Sequence, residues 1–100
     1  MSNIKKLQKK VWENKVKKGF NVTSVDREFN FIYGELAEAF QAYRKKLPEV
    51  GEELADVVIY ILGLAEMLKV DLEKEIINKV KKNKKRVYKK IKSVTTRVKD

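Results

Sequence analysis

Apolar side chains recur along this chain at intervals of three and four, the spacing that lines one face of an α-helix. Four such segments are separated by short breaks. The first is predicted to run from about Asn3 to Lys17 and to stop near Gly19. After the connector Gly19-Phe20-Asn21-Val22, Thr23 or Ser24 supplies an N-cap, with Asp26 in capping-box position relative to Thr23. The second helix continues to about Lys46, where Leu47-Pro48 breaks it, because proline and its predecessor disfavour helical continuation. The third spans about Glu49 to Leu68. Asp71 then caps a fourth, whose Glu73 and Glu75 suit the positive end of the helix dipole. A stripe of Ile76, Val80, Val87, Ile91, Val94 and Val98 carries that last helix into the nineties. No stretch alternates apolar and polar as a half-buried strand would. The predicted class is therefore all-α, in one domain over residues 1–100 with a basic tail from about residue 91.

The helical wheel, at about 100° per residue, sharpens the pattern. On the third helix Glu53, Asp56, Tyr60 and Gly63 share a narrow arc, while apolar residues fill most of the remaining circumference. A helix that is apolar nearly all round is buried on several sides. In a chain of 100 residues this implies burial by a second subunit. On the second helix Phe31, Glu35, Glu38 and Ala42 share an arc, with Glu28 a turn further back, and Phe29, Ile32, Leu36, Ala39, Phe40 and Tyr43 form the adjacent core face. Helices joined by a short break pack antiparallel, so the two acidic arcs can face each other.

Composition removes several chemistries. The chain has no cysteine and no histidine, which excludes disulfides, zinc-thiolate sites, thiol nucleophiles and Ser-His or Cys-His catalysis. The stretch from Met1 to Lys18 has no apolar core like that of a secretory signal, and Val57–Leu68 is too short to span a bilayer, so a soluble cytoplasmic protein is expected. The net charge of +10 is segregated. Residues 1–25 hold seven basic and one acidic side chain, residues 26–75 six and twelve, and residues 76–100 eleven and one. An acidic centre between basic ends suits a metal-bound polyphosphate, whereas a plain nucleic-acid binder has no evident need of it.

The acids Glu35/Glu38 and Glu53/Asp56 are spaced so that each pair shares a helix face, within segments that otherwise read as buried. Such carboxylates repel one another and are costly to desolvate, and a divalent cation relieves both penalties. Hard oxygen ligands without His or Cys select Mg²⁺, with Mn²⁺ as a substitute, over Zn²⁺. A metal-acidified water could attack phosphorus while another carboxylate accepts its proton. Lys79, Asn83, Arg86 and Lys90 form a row along the fourth helix that could meet phosphates, and Asn83 falls close to the apolar stripe. The plainer readings are an ordinary charged seam for the acids and a solvated face for the lysines. Trp12, Phe20 and Phe31 are core residues or stacking platforms, and Tyr60 is either a hydroxyl donor at the site or a packed ring.

Glu35-Leu-Ala-Glu38, fourteen intervening residues, then Glu53-Leu-Ala-Asp56, resembles the E-x-x-E…E-x-x-D signature of the MazG-like, all-α nucleoside triphosphate pyrophosphohydrolases. The similarity extends through Leu64–Leu72 to Lys79, Asn83 and Arg86, covering most of residues 25–90. The resemblance implies Mg²⁺-dependent hydrolysis of (deoxy)nucleoside triphosphates to monophosphate and pyrophosphate. It also implies a homodimer or homotetramer in which helices of two subunits build each four-helix core. Glu35, Glu38, Glu53 and Asp56 would hold the metal, with Glu35 and Glu38 catalytic. Lys79, Asn83 and Arg86 would meet the phosphates. Apart from the resemblance, the aromatic residues Trp12, Phe31 and Tyr60 are candidates for a base pocket. Gly34 departs from the family, which frequently has an acid directly before the first motif glutamate. The competing function is a small basic helical nucleic-acid-binding protein without catalytic activity, and a third is a helical assembly subunit.

Overall fold

The computed structural model describes residues 3–85, together with the backbone of 87–91 and 94–99. Four helices follow in order: α1 (Ile4–Lys18), α2 (Val25–Arg44), α3 (Val50–Met67) and α4 (Leu72–Lys85). Local chemistry sets their ends. The Asn3 side chain accepts from the Lys6 N–H at 2.8 Å and opens α1. Gly19 closes it at φ 71°, the left-handed conformation that costs glycine least, and the Phe20 N–H returns to the Lys15 carbonyl at 2.9 Å.

Ser24, not Thr23, caps α2, with its hydroxyl accepting from the Arg27 N–H at 3.2 Å. The residue three beyond the cap is therefore Arg27, so the anticipated capping box with Asp26 does not form. Asn21 braces the turn instead: its Oδ1 accepts from the Ser24 N–H and its Nδ2 donates to the Ser24 carbonyl. Helix α2 stops at Arg44, slightly early, and Lys46 takes a left-handed φ of 56° before Leu47-Pro48. As expected, Asp71 opens α4 by accepting from the Lys74 N–H at 3.1 Å.

The fourth helix does not run into the nineties. It ends at Lys85, and the backbone pairs as an antiparallel hairpin of β1 (Val87–Ile91) and β2 (Val94–Lys99). The residues read as a helical stripe (Val87, Ile91, Val94, Val98) belong, with Tyr88, Thr95 and Thr96, to the β-branched and aromatic types that favour strands. Apart from this terminal hairpin the fold is the all-α arrangement of the four helices.

Helices α2 and α3 form the most extensive contact, α1 lies across α3, and α4 makes its main contact with α1. Ala39 and Ala42 of α2 and Leu62, Leu64 and Ala65 of α3 are the apolar side chains buried among the described residues. That is a thin core for one chain. Leu36, Phe40, Leu54 and Val58 remain about half exposed on α2 and α3. The α3–α4 corner is held by a polar device. Buried Gln8 of α1 donates to Glu66 Oε1 at 3.1 Å and to the Val70 carbonyl at 2.8 Å, and its own carbonyl accepts from the Leu72 N–H at 3.3 Å.

Candidate active site

Pairing of α2 with α3 brings the four acids of the two motifs under one another's influence. The Glu35 carboxyl is pushed from 4.5 up to about 7, first by a hydrogen bond shared with Glu38, then by burial, then by the charges of Glu38, Asp56 and Glu53. Glu53 is likewise raised, by burial first and then by Glu38, Asp56, Glu52 and Glu49. Crowding by the neighbouring carboxylates thus favours the protonated form of Glu35. Among the described residues no three acids form a group that could by itself hold a metal ion. Carboxylate oxygens are hard donors, of the kind that Mg²⁺ takes one or two at a time beside phosphate oxygens and water.

A cavity of about 800 Å³ opens among α1, the α1–α2 connector, α2 and α3. Phe31 and Tyr60 stand in its wall with ring centroids 6.3 Å apart and planes at 68°, an edge-to-face pair. Phe20 contributes a third ring. Trp12, expected to share this pocket, is half-buried on α1 and is not among the lining residues. Tyr60 belongs to both regions. Its hydroxyl is raised by burial first, then by Glu35, Glu28, Asp56 and Glu38, so one ring adjoins the cavity and feels the acids of both helices.

At the same cavity Lys15 donates to Glu28 Oε2 at 2.8 Å, with Glu28 fully buried and Lys15 nearly so. Asn21 Nδ2 donates to the other oxygen, Oε1, at 3.1 Å. Gly63 is what lets the Lys15 stem pass over α3, since a Cβ there would stand 2.9 Å from Lys15 Cδ. Sequence reading placed Glu28 and Gly63 near the acidic arcs but missed Lys15. The available signal was its position: Ile4, Gln8, Val11 and Lys15 fall on one stripe of α1, so a lysine stands where an apolar residue belongs. Lys79 and Asn83 lie on the exposed length of α4, which makes its main contact with α1 and not with the α2–α3 acids. Arg86 lies outside the described residues.

The sequence matches the MazG-like family over residues 20–100. The chain belongs to that family. Comparison with curated proteins and with solved structures returns no match. The MazG-like match takes in all four acids, the Asn21–Glu28 contact, Phe31, Tyr60 and the α4 row, while Lys15 and Trp12 precede it. Membership in the MazG-like family points to a hydrolase of the nucleotide pyrophosphatase type. Among the described residues no helix is long and apolar enough to cross a membrane.

Proposed function

We propose that this MazG-like protein is an Mg²⁺-dependent nucleotide pyrophosphohydrolase that converts (deoxy)nucleoside triphosphates to monophosphate and pyrophosphate. The observation that carries this reading is the raising of the Glu35 and Glu53 carboxyls by Glu38 and Asp56 across two helices, beside a nucleotide-sized cavity whose wall includes Tyr60, a ring that feels the same acids. Of Glu35, Glu38, Glu53 and Asp56, one or two at a time would hold a cation, with phosphate oxygens and water completing its shell. When bound, Mg²⁺, or Mn²⁺ in its place, neutralises phosphate charge and makes a water more acidic. Glu38, or Glu35 in its deprotonated form, accepts the proton of the attacking water. The water oxygen bonds to the α-phosphorus, the anhydride bond to the β-phosphate breaks, and pyrophosphate leaves. The base and sugar occupy the cavity against Phe31 and Tyr60.

Lys79, Asn83 and Arg86 are assigned to the phosphates. The main contact of α4 is with α1, so this role suits an assembly in which a second copy completes the site. The half-exposed Leu36, Phe40, Leu54 and Val58 support a homodimer or homotetramer closed over the α2–α3 face. The test is product analysis with a panel of ribo- and deoxyribonucleoside triphosphates and Mg²⁺, with Glu38→Gln as control. Monophosphate and pyrophosphate that vanish in the variant are expected. Triphosphates left intact by the wild-type protein would refute the reading.

A further inference from the structure

The cavity contains a polar group that the proposed hydrolysis does not use. Lys15 is only 7% exposed, yet it forms part of the cavity wall. Its ammonium carries three N–H donors. Among the described residues its one hydrogen-bond partner is Glu28. Two donors are thus left without a protein partner among the described residues, beside an open cavity. An acceptor entering the cavity would satisfy them.

The surroundings restrict what that acceptor can be. The positive charge of Lys15 is already matched by Glu28, which is itself wholly buried and also engaged by Asn21, so the pair is neutral as a unit. A neutral oxygen suits it better than a second anion. The rings of Phe20, Phe31 and Tyr60 line the same cavity and favour a planar heterocycle, while Lys10 and Arg27, also in its wall, are placed to meet charged groups attached to it. Gly63 keeps the stem of Lys15 in place by leaving no side chain beneath it.

We infer that Lys15 is a specificity-determining residue that donates to a carbonyl oxygen on the nucleobase. The cavity therefore takes bases that carry one, and discriminates against adenine. Among the common bases adenine alone has no carbonyl oxygen, and its exocyclic amine would set donor against donor. The assignment rests on the nucleotide reading above, but it concerns binding at the cavity and not turnover at the acids.

The cleanest test changes one substituent on the ligand and nothing in the protein. Inosine and adenosine monophosphates share size, sugar and phosphate, and differ at position 6 in carrying a carbonyl or an amine. Titration calorimetry on the full chain without Mg²⁺ is expected to show inosine monophosphate binding at least about tenfold more tightly, the scale of a hydrogen bond to a charged group. Lys15→Met alone strands a buried carboxylate and is expected to unfold the protein, so the partner experiment uses Lys15→Met/Glu28→Gln. In that variant the amide oxygen at position 28 still accepts from Asn21, and the preference is expected to fall to about onefold. Equal binding of the two monophosphates by the wild type overturns the inference, as does a preference that survives in a folded double variant. Triphosphate hydrolysis with no discrimination at position 6 would sink this inference and leave the hydrolase reading standing. Discrimination without hydrolysis would do the reverse.

Discussion

Replacing Gly63 by alanine would insert a Cβ 2.9 Å from Lys15 Cδ, 3.3 Å from Lys15 Cε and 3.7 Å from Val11 Cγ1. A lysine stem on a surface would swing aside at little cost. This one cannot, because its ammonium is fixed 2.8 Å from fully buried Glu28. Either the stem leaves a favourable rotamer, α1 moves off α3, or the ion pair stretches. Overpacking of this kind costs about 1–3 kcal/mol. Alanine returns about 1 kcal/mol through helix propensity, so a net loss on the order of 1 kcal/mol is expected, or about 4–8 °C in Tm for a domain this size. Gly34 supplies the control. It lies inside α2, a Cβ there meets nothing within 4 Å, and Gly34→Ala should gain close to the full helix term. Thermal melts of the two variants should therefore move in opposite directions. In a Lys15→Ala/Glu28→Gln background the obstructing stem is gone, and Gly63→Ala should become stabilising. If Gly63→Ala stabilises the wild-type protein as much as Gly34→Ala does, the pinned-lysine argument is wrong.

Two further outcomes follow from the polar groups. Glu35, raised from 4.5 to about 7, binds its proton more tightly folded than unfolded, so its contribution to stability is full below about pH 4.5 and is lost as pH rises to 7. Without divalent cation, Tm should fall across that window and the fall should shrink in Glu35→Gln; a Tm that climbs instead would contradict the carboxyl crowding. Gln8→Ala removes three hydrogen bonds and strands the Val70 carbonyl and the Leu72 N–H, at a cost of about 1–3 kcal/mol. Circular dichroism should show a loss of helix confined to a length like that of α4, and unchanged melting and helicity would refute the role given to Gln8.

Much of the fold was legible because it is local. Periodicity located all four helices, and Asn3, Gly19, Pro48 and Asp71 mark their ends through short-range chemistry. The acids were legible because carboxylates recurring at helical spacing stand out in segments otherwise made of Leu, Val, Ile and Ala. The hairpin after Lys85 was not: Val87, Ile91, Val94 and Val98 satisfy a helical stripe, and propensity alone had to decide against it. The cap of α2 turned on Asn21 choosing Ser24 over Thr23, a contest between neighbours that spacing does not resolve. Lys15 was hidden in a run of lysines. Its partner is thirteen residues away across a turn, and its burial depends on a glycine of α3 that only packing brings beneath it.

Gln8 also orders events in time. Its partners Glu66, Val70 and Leu72 lie 58, 62 and 64 residues along the chain. Local chemistry at Lys69, Val70 and Asp71 turns the chain there, and the Gln8 bonds form only once α1 has settled on α3. Closing so long a loop is entropically unfavourable, so the step belongs late in folding. In the native protein the same dependence runs backwards. Amides of α4, which has no buried residue, should exchange with solvent by a local opening that releases Gln8, while the α2–α3 pair that carries the carboxylates stays shut. Exchange is thus expected to divide the chain into a lasting part and a part that opens, with Gln8 at the boundary.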